Sequence, residues 1–220
     1  MLLVDKPAGW TSFDVANKVR HLFGVRKVGH AGTLDPNATG LLILCTGAKT
    51  REISTYAGLE KEYEGTMLLG QRTASFDAEM PVLESRPLDG VTEDSVRAAA
   101  AAFVGVISQV PPMWSAVKVG GKPLYAYARK GQTVDRRPRE VTIHSLQVQQ
   151  VRLPEVDFTV VCSKGTYVRS LVEDLGLGLG CGAHLVRLRR TRIGPYRVSD
   201  AWTVDELVRQ YRDRGDEPRS

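Results

Sequence analysis

Apolar residues recur along this chain in two periods. Val15, Val19 and Leu22 fall on one face at spacings of four and three; with Thr11 or Ser12 as cap, Asp14 in the first turn and Gly24 as stop, they predict a helix. From Glu60 to Leu69 the period is two: Tyr63, Gly65, Met67 and Leu69 share one face of a half-buried strand that ends at Gly70. Val156, Phe158, Val160 and Cys162 alternate in the same way, after a strand over roughly 141–151. Leu2–Val4 reads as a short apolar strand, and Leu41–Leu44, apolar throughout, as a buried strand or helix start. Helices are predicted over Gly47–Tyr56, over Thr92–Phe103 with Thr92 as cap, over Leu124–Lys130, and from the Thr203/Glu206 capping box to Arg214. Gly165–Asp174 reads as a strand end passing into a helix, 193–198 as a last strand, and the charged final residues as frayed. Residues 78–91 read as a connection, and Val110–Lys118 as irregular because Pro111 and Pro112 remove two donors. Strands and helices alternate without repeated βαβ units. The pattern therefore predicts one α+β domain over 1–220, with a mixed, largely antiparallel sheet flanked by helices and loops.

One stretch stands apart, KVGHAGTLDPNATGLL at 27–42. It sets a single carboxylate, Asp35, among Gly29, His30, Gly32, Pro36, Asn37, Thr39 and Gly40, ahead of the apolar run. Pro36 pushes Asp35 out of helical dihedrals. Polar turn chemistry leading into a buried element is how a scaffold presents one side chain in a cleft. A turn aspartate that caps its own backbone has the same local pattern. Gly178–Ala183 fits G-x-G-x-x-A in form, but a helical pattern precedes it, so it fails as a dinucleotide site.

With 220 residues, 42% hydrophobic and 25% charged, the chain is long enough to bury a core, and its longest apolar runs fall far short of a membrane span. Cys45, Cys162 and Cys181 lie far apart and four scattered histidines suggest no metal site, so neither a zinc ribbon nor a disulfide framework is supported and a reducing, cytoplasmic setting is expected. The net charge is +5. Its placement changes the picture more than its size does. Arg187, Arg189, Arg190 and Arg192 crowd one segment, and Arg136, Arg137 and Arg139 another. Two dense basic patches suit a phosphate backbone, and equally a solvated basic face.

Taken in series, DKPAGWTS (5–12), KVGHAGTLDPNATGLL (27–42), KEYEGTMLLGQRTASFD (61–77), VPPMWSAVK (110–118), GGKPLYAYARKG (120–131), SKGTYVRSLVEDLG (163–176) and GCGAHLVRLRRT (180–191) resemble the TruB type of tRNA pseudouridine synthase. The resemblance implies a pseudouridine-synthase fold with a central RNA-binding cleft, acting on uridine 55 in the T-loop of tRNA. By position it implies Asp35 as nucleophile, Tyr63 as the aromatic that stacks on the target base, and Arg169 as the aspartate's partner. His30, Tyr167, Leu188, Lys6 and Asp77 match substrate-binding positions. Arg187, Arg189, Arg190, Arg136 and Arg137 are expected on the RNA backbone. The T-arm stem-loop of tRNA is the partner implied, with no membrane, no obligate protein partner and nothing that requires more than a monomer.

The residue types suit that chemistry. The reaction breaks the N1 glycosidic bond, turns the uracil and rejoins it through C5. No atom is gained and no redox occurs, so no cofactor is expected. A carboxylate kept ionised by an arginine, an aromatic plane and a pocket for an extruded base are what it needs. The chain departs from the family's usual pattern at Trp114 (commonly tyrosine), Met80 (commonly glycine) and Ala31 (commonly glycine or threonine). The C-terminal PUA-type domain of many relatives is expected to be absent. Two rivals remain open. One is an RNA-folding protein without catalysis, and the other a glycoside hydrolase, which ordinarily needs two flanking carboxylates.

Overall fold

The computed structural model describes residues 1–215. In chain order the elements begin with β1 (Leu2–Lys6), α1 (Ser12–Leu22), β2 (Val28–His30), β3 (Thr39–Thr46), a 3₁₀ segment (Gly47–Glu52), α2 (Ile53–Gly58) and β4 (Lys61–Leu69). There follow β5 (Gln71–Thr73), β6 (Val82–Ser85), α3 (Glu93–Ala102), β7 (Gly105–Gln109), β8 (Lys118–Val119), β9 (Lys122–Pro123), α4 (Leu124–Ala128), β10 (Arg139–Arg152) and β11 (Glu155–Cys162). The chain continues through α5 (Val168–Gly178), β12 (Ala183–Ile193), β13 (Tyr196–Arg197), β14 (Trp202–Thr203) and α6 (Val204–Gly215). These elements form two compact units, one of Met1–Tyr63 with the chain from Leu188 on, the other of Glu64–Arg187.

In the first unit the strand order is β14-β1-β3-β12, with β2 on β3 and β13 on β12. The β1/β14 and β3/β12 pairs are parallel and the others antiparallel. β3 is buried from Gly40 to Cys45, which explains its unbroken apolar run. Leu42 and Leu44 pack with Val4, Val15, Val19 and Leu207 on one face. Leu41, Ile43 and Cys45 pack with Ala31 and Ile193 on the other. Where β3 meets β12, Gly40 has φ +103, and a Cβ there would lie 2.3 Å from the Arg190 carbonyl oxygen. Only glycine allows that approach. Thr11, not Ser12, caps α1: its hydroxyl accepts from Asp14 N–H and the Asp14 carboxylate accepts from Thr11 N–H, completing a capping box.

In the second unit β4, β11, β10 and β7 follow one another, and β10 and β11 form the long antiparallel pair from Ile143↔Cys162 to Arg152↔Glu155. The alternation read from the sequence is real: Val156, Phe158, Val160 and Cys162 are all buried. In β4 the same holds for Tyr63, Met67 and Leu69. Gly176 is the glycine on which the α5 end depends, because a Cβ would lie 2.2 Å from the Ala183 nitrogen. α5 does precede the glycine run, as the failed dinucleotide pattern requires.

Several boundaries differ from the sequence reading. Gly47–Tyr56 is not one helix: Gly47 has φ +53, Thr46 supplies no side-chain cap, and a 3₁₀ segment runs on into the six-residue α2. The connection 78–91 contains β6, which pairs with β5. The strand read as the last, 193–198, is shorter, because β12 itself continues to Ile193 and only Tyr196–Arg197 pair back on it, and β14 follows it. β7 was not anticipated. The expectation of frayed final residues falls mostly outside the described residues; α6 runs to Gly215.

Candidate active site

In the first unit, the backbone on both sides of Asp35 is fixed. Ser12 Oγ accepts from Leu34 N–H at 2.9 Å and donates to the Leu34 carbonyl at 3.3 Å. After it, the Pro36 carbonyl accepts from Gly9 N–H at 2.9 Å and from Lys6 Nζ at 2.9 Å. Leu34 and Ala38 are buried, while Asp35 between them keeps partial exposure. The sequence therefore folds into a tight loop that presents one carboxylate. Lys6, expected to contact substrate, is 0% exposed; its ammonium donates to the carbonyls of Pro7, Trp10 and Pro36. It grips the Asp35 loop from beneath. Burial lowers its pKa to about 8, against the opposing pull of the Asp35 carboxylate.

His30, in β2, is partly buried; burial and the Arg190 guanidinium hold its pKa below the usual imidazole value. Its Nδ1 is buried without a hydrogen-bond partner among the described residues. Tyr63 is 8% exposed in β4 and Leu188 8% exposed in β12. Arg189 is held by Asp5 at 2.7 Å and borders a cavity of about 370 Å³ that Asp5, Pro7, Trp10 and Thr39 also line.

Arg190 corrects the expectation of a row of RNA-facing arginines. It is 1% exposed, and its guanidinium donates to the carbonyls of Leu41 at 2.7 Å and Gly32 at 3.1 Å. Strand alternation turns it inward, where it ties the loop before Asp35 to β3. Arg192, two residues on, is paired with Glu60 and Glu62. The sequence displays four basic residues in close succession; the strand splits them between interior and surface.

In the second unit, Arg169 is a buried member of the first turn of α5. Its NH1 lies 3.3 Å from Asp77 Oδ2 and donates to the Ser75 carbonyl at 3.0 Å, and its NH2 donates to the Trp114 carbonyl at 2.8 Å. Asp77 is itself anchored: its Oδ1 accepts from Ser75 Oγ and Glu79 N–H. Phe76, immediately before it, has φ +63, the one positive φ among described non-glycine residues. Strain of that kind persists where surrounding bonds over-determine it. Met80, where glycine is usual in the family, leaves the turn after Asp77 intact.

Tyr167 is the extended N-cap residue of α5 and half-buried. Arg187 has a side chain 73% exposed, 3.3 Å from Asp157. Arg136 donates to the Pro111 carbonyl, and Arg137 is exposed. Two groups escaped the sequence reading. Gln109, 2% exposed, binds the Tyr167 backbone with both amide atoms. Glu173 is buried on α5 and takes Arg72 Nε at 2.8 Å. The only sequence signal for Gln109 was a polar residue directly ahead of Val110-Pro111-Pro112.

Beside Glu173, burial and that neighbouring carboxylate push Asp174 up to about 6 from 3.8. The folded state therefore binds this proton more tightly than the unfolded chain, and stability falls as pH rises from about 4 through 6. Asp174→Asn removes this half-buried charge. It is expected to stabilise by roughly 1–3 kcal/mol at pH 7, a gain that vanishes near pH 4, in urea melts at both pH values.

Two family descriptions match most of the chain. Residues 20–168 match the N-terminal domain of the TruB family pseudouridylate synthases, and 169–219 match the C-terminal domain of tRNA pseudouridylate synthase B. The tRNA pseudouridine synthase B of Thermobifida fusca is 52% identical over 219 residues, covering 96% of this chain and 75% of the relative. That of Burkholderia pseudomallei is 52% identical over 216 residues, covering 98% and 71%. Among solved structures, a Cbf5-Nop10-Gar1 complex contains a chain 31% identical with TM-score 0.77, covering 98% of this chain. An H/ACA RNP bound to a substrate RNA contains one 29% identical with TM-score 0.74. This chain spans 55% of the length of each of those two. The chain belongs to the TruB family of pseudouridylate synthases.

Proposed function

We propose that this protein is a tRNA pseudouridine synthase that isomerises uridine 55 of the T-loop, with Asp35 as its nucleophile. The observation that carries the reading is the loop around Asp35. Backbone groups on either side are locked by Ser12, Gly9 and Lys6, while Asp35 itself keeps partial exposure. Positioning of that quality is what a covalent step requires.

In this reading the uridine leaves its stack, at a cost of a few kcal/mol that interactions in the pocket offset. Asp35 attacks the sugar or C6 of the ring, the N1 glycosidic bond breaks, the base turns and C5 bonds to the sugar carbon; the bond to Asp35 then breaks, C5 loses its proton and N1 gains one. Tyr63 holds the ring and is the candidate general base for the C5 proton. Arg169 supplies positive charge to the reaction; its head is fixed by Asp77 and by the Ser75 and Trp114 carbonyls, which supports that role. His30, Tyr167 and Leu188 contact the substrate. The T-arm of tRNA is the partner, bound by a monomer.

RNA phosphates fall to the exposed arginines rather than to the whole basic segment. Arg187→Ala with Arg137→Ala is expected to flatten the salt dependence of tRNA binding by roughly 0.7 log units for each phosphate left without its arginine. Arg190→Ala is expected to lower stability in urea melts and to leave that slope unchanged. The test of the function is to map pseudouridine in an unmodified tRNA transcript after incubation with the pure protein. Conversion at position 55 is the expected result. Release of free uracil, or binding without conversion, would overturn it.

A further inference from the structure

We propose that Gln109 is a positioning residue for Arg169, acting through the backbone of Tyr167. This rests on the pseudouridine-synthase reading above. Gln109 ends β7 and is 2% exposed. Its Nε2 donates to the Tyr167 carbonyl at 3.0 Å, and its Oε1 accepts from Tyr167 N–H at 2.7 Å. One side-chain amide thus imitates a strand neighbour for one residue, at the point where the chain turns from extended (φ −98, ψ 105) into α5. Tyr167 lacks a hydroxyl or carboxylate able to cap the helix in the usual way, and no side-chain cap forms there.

A second bond reinforces the seam: Ser170 Oγ donates to the carbonyl of Val110, the residue after Gln109. The clamp therefore brackets Arg169 in sequence, one bond set two residues before it and one a residue after. Arg169 must meet Ser75, Asp77 and Trp114 at once. A helix start free to shift by a fraction of an ångström would loosen every one of those bonds. A buried glutamine that satisfied only itself would not need both amide atoms on one backbone residue.

The experiment is a double-mutant cycle on the full chain. Gln109→Ala is expected to lower the single-turnover rate by about tenfold or more with tRNA Kd unchanged within about twofold. In an Arg169→Lys background the same substitution is expected to cost less than about twofold further, since the two residues act as a unit. Gln109→Glu, which keeps size and the acceptor but loses the donor, is expected to fall between. Amide hydrogen exchange at 167–170 is expected to speed up in Gln109→Ala. Equal rate losses in both backgrounds, or unaltered exchange at 167–170, would overturn the proposal. A wild-type protein that forms no pseudouridine would overturn the functional reading instead, and the exchange measurement would still decide whether Gln109 holds the helix start.

Discussion

Asp35→Asn is expected to stop pseudouridine formation while leaving tRNA binding intact. The substitution keeps the shape of the side chain and the turn around it. The bonds that shape the loop belong to Ser12, Gly9 and Lys6 and to backbone atoms of Leu34 and Pro36. Those bonds remain in the variant, so they continue to hold the loop. What disappears is the negative charge and the nucleophilic oxygen. The single-turnover rate should fall by at least about four orders of magnitude, while Kd for the transcript stays within about threefold. Measuring both on one preparation separates the readings. Full activity in Asp35→Asn would sink the nucleophile assignment. A parallel loss of affinity and rate would point to a carboxylate that organises the loop rather than one that reacts.

The elements that the sequence reveals are those whose two faces differ. β4 and β11 alternate because one face is buried, so period two was visible residue by residue. β3 is buried on both faces, and an apolar run of that kind reads as strand or helix alike until its neighbours are known. β7 was illegible for the opposite reason. It sits at the end of its strand order with Val106 exposed and Gln109 buried, so polarity runs against the usual sense.

The site divides in the same way. Asp35 stands out because glycines, a proline and a histidine surround it within a short stretch, but a turn aspartate that caps its own backbone has the same pattern, and its role comes from the resemblance. Arg169 and Asp77 carried no local pattern; family resemblance supplied them, and folding alone pairs residues so far apart along the chain. Lys6 and Arg190 were misread for a physical reason. A sequence records a cation but not what surrounds it, and long basic side chains that bury their heads against carbonyls look the same as those that meet phosphates. Gln109 leaves almost no trace, since a side chain that imitates backbone needs only an amide at the correct depth.

Arg169→Met carries the second large effect, and here stability and activity part company. The guanidinium side chain is 5% exposed and that of Asp77 11%. Removing the cation leaves a buried carboxylate that the Ser75 hydroxyl and the Glu79 amide still support. Losing one partner of a buried pair costs about 3 kcal/mol, and the carbonyls of Ser75 and Trp114 lose a donor as well. A urea melt is expected to show that loss. Asp77→Asn in the same chain takes away the uncompensated charge, so the double variant should regain most of the lost stability. Activity should not follow. If Arg169 holds charge in the reacting site, the double variant stays at least about a thousandfold slower than the parent, although it folds nearly as well. Recovery of rate along with stability would reduce Arg169 to a scaffold residue.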